Sequence, residues 1–136
     1  MYTVWGLVDA NGTVKNGSRN PSTNLHNFAI SPSSGTPGIF FVQFNPWFAG
    51  IPAVVVQHVG AFDSTVQASG LFDSVTVESV TQYVMVVVTG DDKGNITPRN
   101  FSFVAIGEAS MPVTADQLSK ASTDVRELAQ RPFRKA

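Results

Sequence analysis

Hydrophobic positions along this chain recur with period two for most of its length, and with a helical period only near its end. Tyr2–Val8 (YTVWGLV) reads as a first strand, closed by the turn Asp9-Ala-Asn-Gly12. A second Asn-Gly pair, Asn16-Gly17, predicts a short hairpin or a pair of turns. After a polar loop over residues 18–24, residues 24–30 predict a strand with His26, Phe28 and Ile30 on one face and Leu25, Asn27 and Ala29 on the other. Residues 31–37 (SPSSGTP) read as a loop.

Residues 38–59 are the stretch around which the rest is organised. An aromatic, β-branched strand over 38–45 meets a corner broken by Pro46, Gly50 and Pro52, and a valine-rich strand resumes over 53–59. Residues 60–73 predict a long loop, where binding often resides. Residues 74–79 alternate, with Val75 and Val77 inward and Thr76 and Glu78 outward. Residues 80–89 do not: from Tyr83 onward both faces are apolar. Residues 90–95 predict a hairpin loop, and residues 99–106 a closing strand.

The period then changes. Thr114-Ala-Asp-Gln117 has the capping-box pattern, and Leu118, Ala121, Val125 and Leu128 follow at helical spacing before Pro132 stops the run. Lys120/Asp124 and Glu127/Arg131 lie four apart. One amphipathic helix over 114–130, about 25 Å long, is expected. The expected fold is therefore all-β: an antiparallel, jelly-roll-like β-sandwich over residues 1–110, with a C-terminal helix and tail over 111–136.

A sandwich strand normally shows one face to the core and one to water. Here residues 39–42, 54–56 and 83–88 are apolar on both faces, so their outer sides need a cover. The C-terminal helix within one chain and a neighbouring subunit are the two candidates. The subunit is favoured, because a narrow Leu/Ala/Val stripe covers little of three such strands.

Composition sharpens this. The 136 residues fit one domain, and 14% are charged, against about 25% in an ordinary soluble domain. A surface buried against another chain would account for the shortfall. The net charge of −1 leaves no cationic footprint for nucleic acid. No apolar run approaches the ~20 residues of a membrane span. The N-terminus lacks the pattern of a signal peptide, so the mature chain is expected to begin near Met1. The absence of cysteine excludes disulfides and thiolate metal sites and leaves the compartment open, with a phage particle or a released extracellular protein both compatible.

The run Phe44-Asn-Pro-Trp-Phe48-Ala-Gly-Ile-Pro52-Ala-Val54, the closing Phe101-Ser-Phe103-Val-Ala105-Ile-Gly107 and the opening Trp5-Gly-Leu-Val-Asp-Ala-Asn-Gly12 resemble the H-type lectin domain and related tips of phage tail fibres. The resemblance spans about residues 4 to 107. It implies an antiparallel sandwich of six or more strands, assembly into trimers, and glycan binding in clefts between subunits. The matching residues are core and turn positions, so no contact residue carries over. Phe103 stands where that family commonly has Trp, and the C-terminal helix is outside its pattern.

Candidate chemistry is sparse. His26 and His58 sit on separate predicted strands without a second ligand at metal spacing. Asp91, Asp92, Gly94 and Asn95 lack the alternating ligands and closing Glu of a calcium loop and read as a solvated hairpin tip. No Gly-x-Ser-x-Gly elbow or placed carboxylate pair points to an enzyme, and no cofactor is implied. The expected function is a non-enzymatic, lectin-like module that binds glycans in clefts of a homo-oligomer. Its ligand-binding residues are expected to be Trp47, Asp63, Asp73, Asp91, Asp92 and Asn95. Trp47 has two readings, a stacking platform for a sugar or a buried plug of the corner. The alternative function is a structural protein whose sandwich oligomerises and whose helix docks to neighbours in a larger particle.

Overall fold

A computed structural model describes residues 1–64, 73–110 and 126. Every named element among them is a strand: β1 (Tyr2–Val8), β2 (Val14–Gly17), β3 (Phe28–Pro32), β4 (Ile39–Phe44), β5 (Ala53–His58), β6 (Ser74–Val80), β7 (Val84–Gly90) and β8 (Phe101–Gly107). Two four-stranded antiparallel sheets result, in the orders β2-β1-β8-β5 and β3-β4-β7-β6. The helix expected over residues 114–130 lies, but for Arg126, outside the described residues.

The sheets face each other. Val4, Val8, Phe101, Phe103 and Ala105 of the first sheet share one buried cluster with Phe28, Phe40, Val42, Phe44, Met85 and Val87 of the second. Ring contacts cross between them at Phe28–Phe103 (5.1 Å) and Phe40–Phe101 (5.2 Å). The architecture is all-β and sandwich-like, as the alternation predicts.

Packing decides which Asn-Gly pair turns. Asn11-Gly12 makes the first hairpin: Gly12 has φ 85°, and Asp9 Oδ1 accepts from the backbone N–H groups of Asn11 and Thr13. Asn16-Gly17 instead lies within β2, with Gly17 opposite Gly6. A Cβ on Gly17 would sit 2.5 Å from Phe28 ring atoms, and one on Gly6 would sit 2.7 Å from both Phe28 and Phe103. The glycines are the floor on which these two rings pack. Gly17→Ala is expected to cost about 1–3 kcal/mol by overpacking. The control, Gly50→Ala, meets nothing within 4 Å. Urea unfolding of the two variants checks this; equal midpoints would mean that Phe28 swings aside freely.

Three boundaries differ from the expected ones. The third strand starts at Phe28 rather than residue 24, because Asn24 takes the left-handed conformation (φ 58°) that ends the preceding turn. It runs on through Pro32, opposite Phe40, because β3 is an edge strand and loses no ladder bond to proline. Val80 belongs to β6, whose bulge between Val77 and Ser79 leaves both Glu78 and Ser79 exposed. The Thr81 hydroxyl then accepts from the Val84 N–H at 3.1 Å and closes the turn into β7.

The expectation of two dry faces holds for β4 and β7 and fails for β5. Val54 and Val56 point inward, but Val55 is 69% exposed, because the outer face of the first sheet is open.

At the β4–β5 corner the Asn45–Pro46 bond is cis, and the Tyr2 hydroxyl donates to the Pro46 carbonyl at 2.8 Å. Burial pushes the Tyr2 hydroxyl up to about 12 from the ordinary 10.0. The folded-state value is the higher one. This contribution is therefore intact below pH 10 and is lost as the pH rises toward 12, where the unfolded chain ionises first. Tyr2→Phe is expected to weaken the fold at pH 8, with the deficit shrinking between pH 10 and 12. Denaturation midpoints across that range test it; a deficit constant with pH would refute the role of Tyr2.

Candidate functional site

A pocket of about 400 Å³ opens at the end of the molecule where β5 finishes and β8 begins, lined by His58, Asp73, Asp92, Arg99 and Asn100 together with residues 10, 59, 60 and 98. The strand register creates it. His58, the last residue of β5, pairs with Phe101, the first of β8, so His58 and the Arg99-Asn100 pair reach the same edge. Asp73 immediately precedes β6, and Asp92 comes from the hairpin after β7.

Asp73, Arg99 and Asn100 are held in place. Asp73 Oδ2 accepts from Arg99 Nε at 2.8 Å and lies 3.7 Å from His58 Nε2, with the Asp73 side chain only 8% exposed. Arg99 also donates through Nη1 to the Pro98 carbonyl at 3.0 Å. Its backbone is fixed by Thr89, a fully buried threonine whose hydroxyl donates to the Thr97 carbonyl at 2.6 Å and accepts from the Arg99 N–H at 3.2 Å. Asn100 joins two walls: its Oδ1 accepts from the Ala10 N–H at 2.9 Å, and its backbone carbonyl accepts from the Val59 N–H at 3.1 Å.

Of the residues expected to bind ligand, Asp73 and Asp92 meet in this pocket. Asp91 and Asn95 build the hairpin that presents Asp92. Asp91 Oδ1 accepts from the backbone N–H groups of Lys93 and Asn95, and Asn95 Nδ2 donates to Asp91 Oδ2 at 3.2 Å. The Asn95 N–H, before all else, holds the Asp91 carboxyl below its ordinary value, with the Lys93 N–H, the Asn95 side chain and the Arg99 charge adding to it. Asp63 is exposed, with φ 54°, and is not part of the pocket lining. The interior of its loop, residues 65–72, lies outside the described residues.

Trp47 is at the other end. Asn100 precedes β8, whereas Ala109, which bridges to Phe48, follows it, and seven strand residues separate the two by roughly 20 Å. Trp47 is 8% exposed and its ring lies 5.6 Å from that of Tyr83. Here it is the corner plug rather than an exposed platform.

His58, Arg99 and Asn100 are the lining residues that sequence reasoning missed. The signal was present: each is a polar residue at the end of an apolar alternating run, but only the pairing of β5 with β8 puts those ends together. No group of three or more His, Cys, Asp or Glu side chains fit to hold a metal ion occurs among the described residues. No helix among them is long and apolar enough to cross a membrane. Comparison with family models, curated proteins and solved structures returns no match for this chain.

Proposed function

We propose that this protein is a non-enzymatic binding module that takes a neutral carbohydrate in the pocket of His58, Asp73, Asp92, Arg99 and Asn100. The observation that carries the reading is the polar make-up of that pocket. Ligand clefts of about 300–1,000 Å³ are mostly apolar with a few polar anchors. This one brings two carboxylates, a guanidinium, an amide and an imidazole into about 400 Å³, a lining suited to a ligand whose own surface is donors and acceptors. Two carboxylates against one guanidinium leave no cationic surplus, which disfavours phosphates and acidic sugars. The likeness of the corner and closing strand to H-type lectins supports the same reading. The whole-chain fold that goes with it is a jelly-roll-like sandwich with a C-terminal helix.

A glycan array carrying neutral and acidic oligosaccharides tests it. Neutral glycans are expected to bind, and Asp92→Ala, an exposed position, is expected to abolish the signal. A silent array, or signals unchanged in an Asp92→Ala/His58→Ala double variant, would sink the proposal.

A second reading, a structural protein that assembles through its sheets, is favoured by one observation. The outer face of the first sheet exposes Trp5, Val55, Val104 and Ile106, with Val104 opposite both Trp5 and Val55. The outward positions of β1, β5 and β8 carry no charge, so the occupant this face fits is a second copy of the chain, met without like-charge repulsion. A trimer by light scattering that Val55→Glu converts to monomer would support it; a monomer at every concentration would remove it.

A further inference from the structure

A second pocket, of about 290 Å³, opens at the opposite end of the molecule. Tyr2, the first residue of β1, pairs with Gly107, the last of β8, whereas the first pocket lies where β8 begins. Tyr2 and Thr3 of β1, Arg19, Asn20 and Asn27 of the connection from β2 to β3, and Pro46 of the β4–β5 corner line it. Arg19 supplies the only charged side chain of this lining among the described residues. The first pocket, by contrast, holds two carboxylates beside its guanidinium.

Backbone bonds fix the walls. The Arg19–His26 bridge and the Asn20 N–H, which donates to the Leu25 carbonyl at 2.8 Å, close the connection into a small hairpin. Arg19 Nη1 donates across it to the Asn24 carbonyl at 2.7 Å, which uses one of the five guanidinium donors. The ion pairs among the described residues both belong to Asp73, so Arg19 is a cation without a counter-ion there. Asn27 is 5% exposed. Its Oδ1 accepts from the Ser18 hydroxyl, and its Nδ2 donates to the Thr3 carbonyl at 3.4 Å. That long bond occupies one of two amide hydrogens, and the other has no acceptor among the described residues. The Asn27 carbonyl accepts from the Asn45 N–H at 2.9 Å, which ties the hairpin to the residue before Pro46.

We propose that this pocket binds a small monocarboxylate, about one ring in size, with Arg19 as its counter-ion and Asn27 Nδ2 as a further donor. A planar guanidinium meets a carboxylate through two parallel hydrogen bonds. One cation balances one negative charge, which fits a carboxylate better than a phosphate monoester of about −1.5 to −2. The volume lies at the lower limit of ligand pockets, about 300–1,000 Å³, so it suits a single ring rather than an oligosaccharide. Nothing in this second site depends on what the first pocket binds.

Nuclear magnetic resonance of the full chain tests it, with sodium glucuronate or sodium benzoate added to about 10 mM, well above a millimolar Kd. Glucuronamide and benzamide, the neutral counterparts, are titrated at equal ionic strength. Saturating shifts of the Arg19 Nε–H and the Asn27 side-chain amide are expected with at least one carboxylate and not with its amide. A response to glucuronate alone assigns the ligand to acidic sugars, and to benzoate alone to aromatic acids. Arg19→Ala is expected to weaken binding at least about tenfold, as a hydrogen bond to a charged group is lost. Arg19→Lys, which keeps the charge but not the fork, should also bind more weakly than the unaltered chain. No saturation with either carboxylate, an equal response to the amides, undiminished binding by Arg19→Ala, or shifts confined to His58 and Asn100 overturn the proposal. Where Arg19→Ala fails to fold, Arg19→Lys and the amide controls on the unaltered chain decide.

Discussion

Phe48→Ala is expected to lower the unfolding free energy by about 3–5 kcal/mol, the range for removing a buried aromatic from a packed core. Phe48 is 0% exposed at the corner between β4 and β5, where both sheets reach it. Its ring lies 5.0 Å from Phe44 of the second sheet, edge-on, and 4.7 Å from Tyr2 of the first. Gly107, the last residue of β8, leaves room for it, since a Cβ there would approach the Phe48 ring to 3.0 Å. The Phe48 N–H also donates to the Gln82 carbonyl at 3.0 Å, in the turn before β7. Truncation opens a cavity where four strand ends converge, and these ends cannot all move inward together. Against a total stability of about 5–15 kcal/mol for a domain, that loss is severe. Phe48→Leu should retain roughly half of the lost stability. Chemical unfolding measures both; a cost below about 1.5 kcal/mol for the alanine variant would mean that the corner does not hold the sheets together.

Arg99→Ala is expected to cost about 3 kcal/mol, through the carboxylate it abandons rather than through its own contacts. The Asp73 side chain is 8% exposed, and Arg99 Nε donates to it at 2.8 Å. Breaking a buried pair from one side costs about 3–5 kcal/mol, and because the Arg99 side chain is 33% exposed, solvent screening places this pair at the lower end. Asp73→Asn in the same chain should restore much of the loss, since the neutral amide does not need a cation. If the double variant is as weak as the sum of the two single changes, the unpaired charge is not the cause. If the pocket takes the proposed carbohydrate, a glycan array separates the roles: the double variant regains stability while the pocket, without its guanidinium, stays silent.

Much of the fold was legible in the residues. Seven of the eight strands among the described residues are expected close to where they occur, because Val, Ile and aromatic residues alternate there and Gly, Pro, Asn and Asp punctuate the ends. The short β2 was harder to see. Asn16-Gly17 has the composition of a turn, and only the weight of the Phe28 and Phe103 rings on Gly6 and Gly17 makes it strand. Pro32 likewise reads as loop until β3 is known to be an edge. The pocket was half legible. Asp73 and Asp92 fall in loops whose polarity marks them as candidates, whereas His58, Arg99 and Asn100 sit at strand ends and are recognisable as site residues only through their neighbours.

By itself the sequence determined the class of the molecule: an all-β chain with a double-faced apolar centre and little charge. Those features reside in local periodicity and composition, which each segment carries alone. The tertiary structure decided what local periodicity cannot express. It joined the ends of β5 and β8 into a polar pocket, sent Trp47 to the opposite end, and separated two apolar faces of similar composition into one that is buried and one that is open. Burial is a property of what packs on a residue, and partners distant in sequence are set by register and sheet order, neither of which is written in any single stretch.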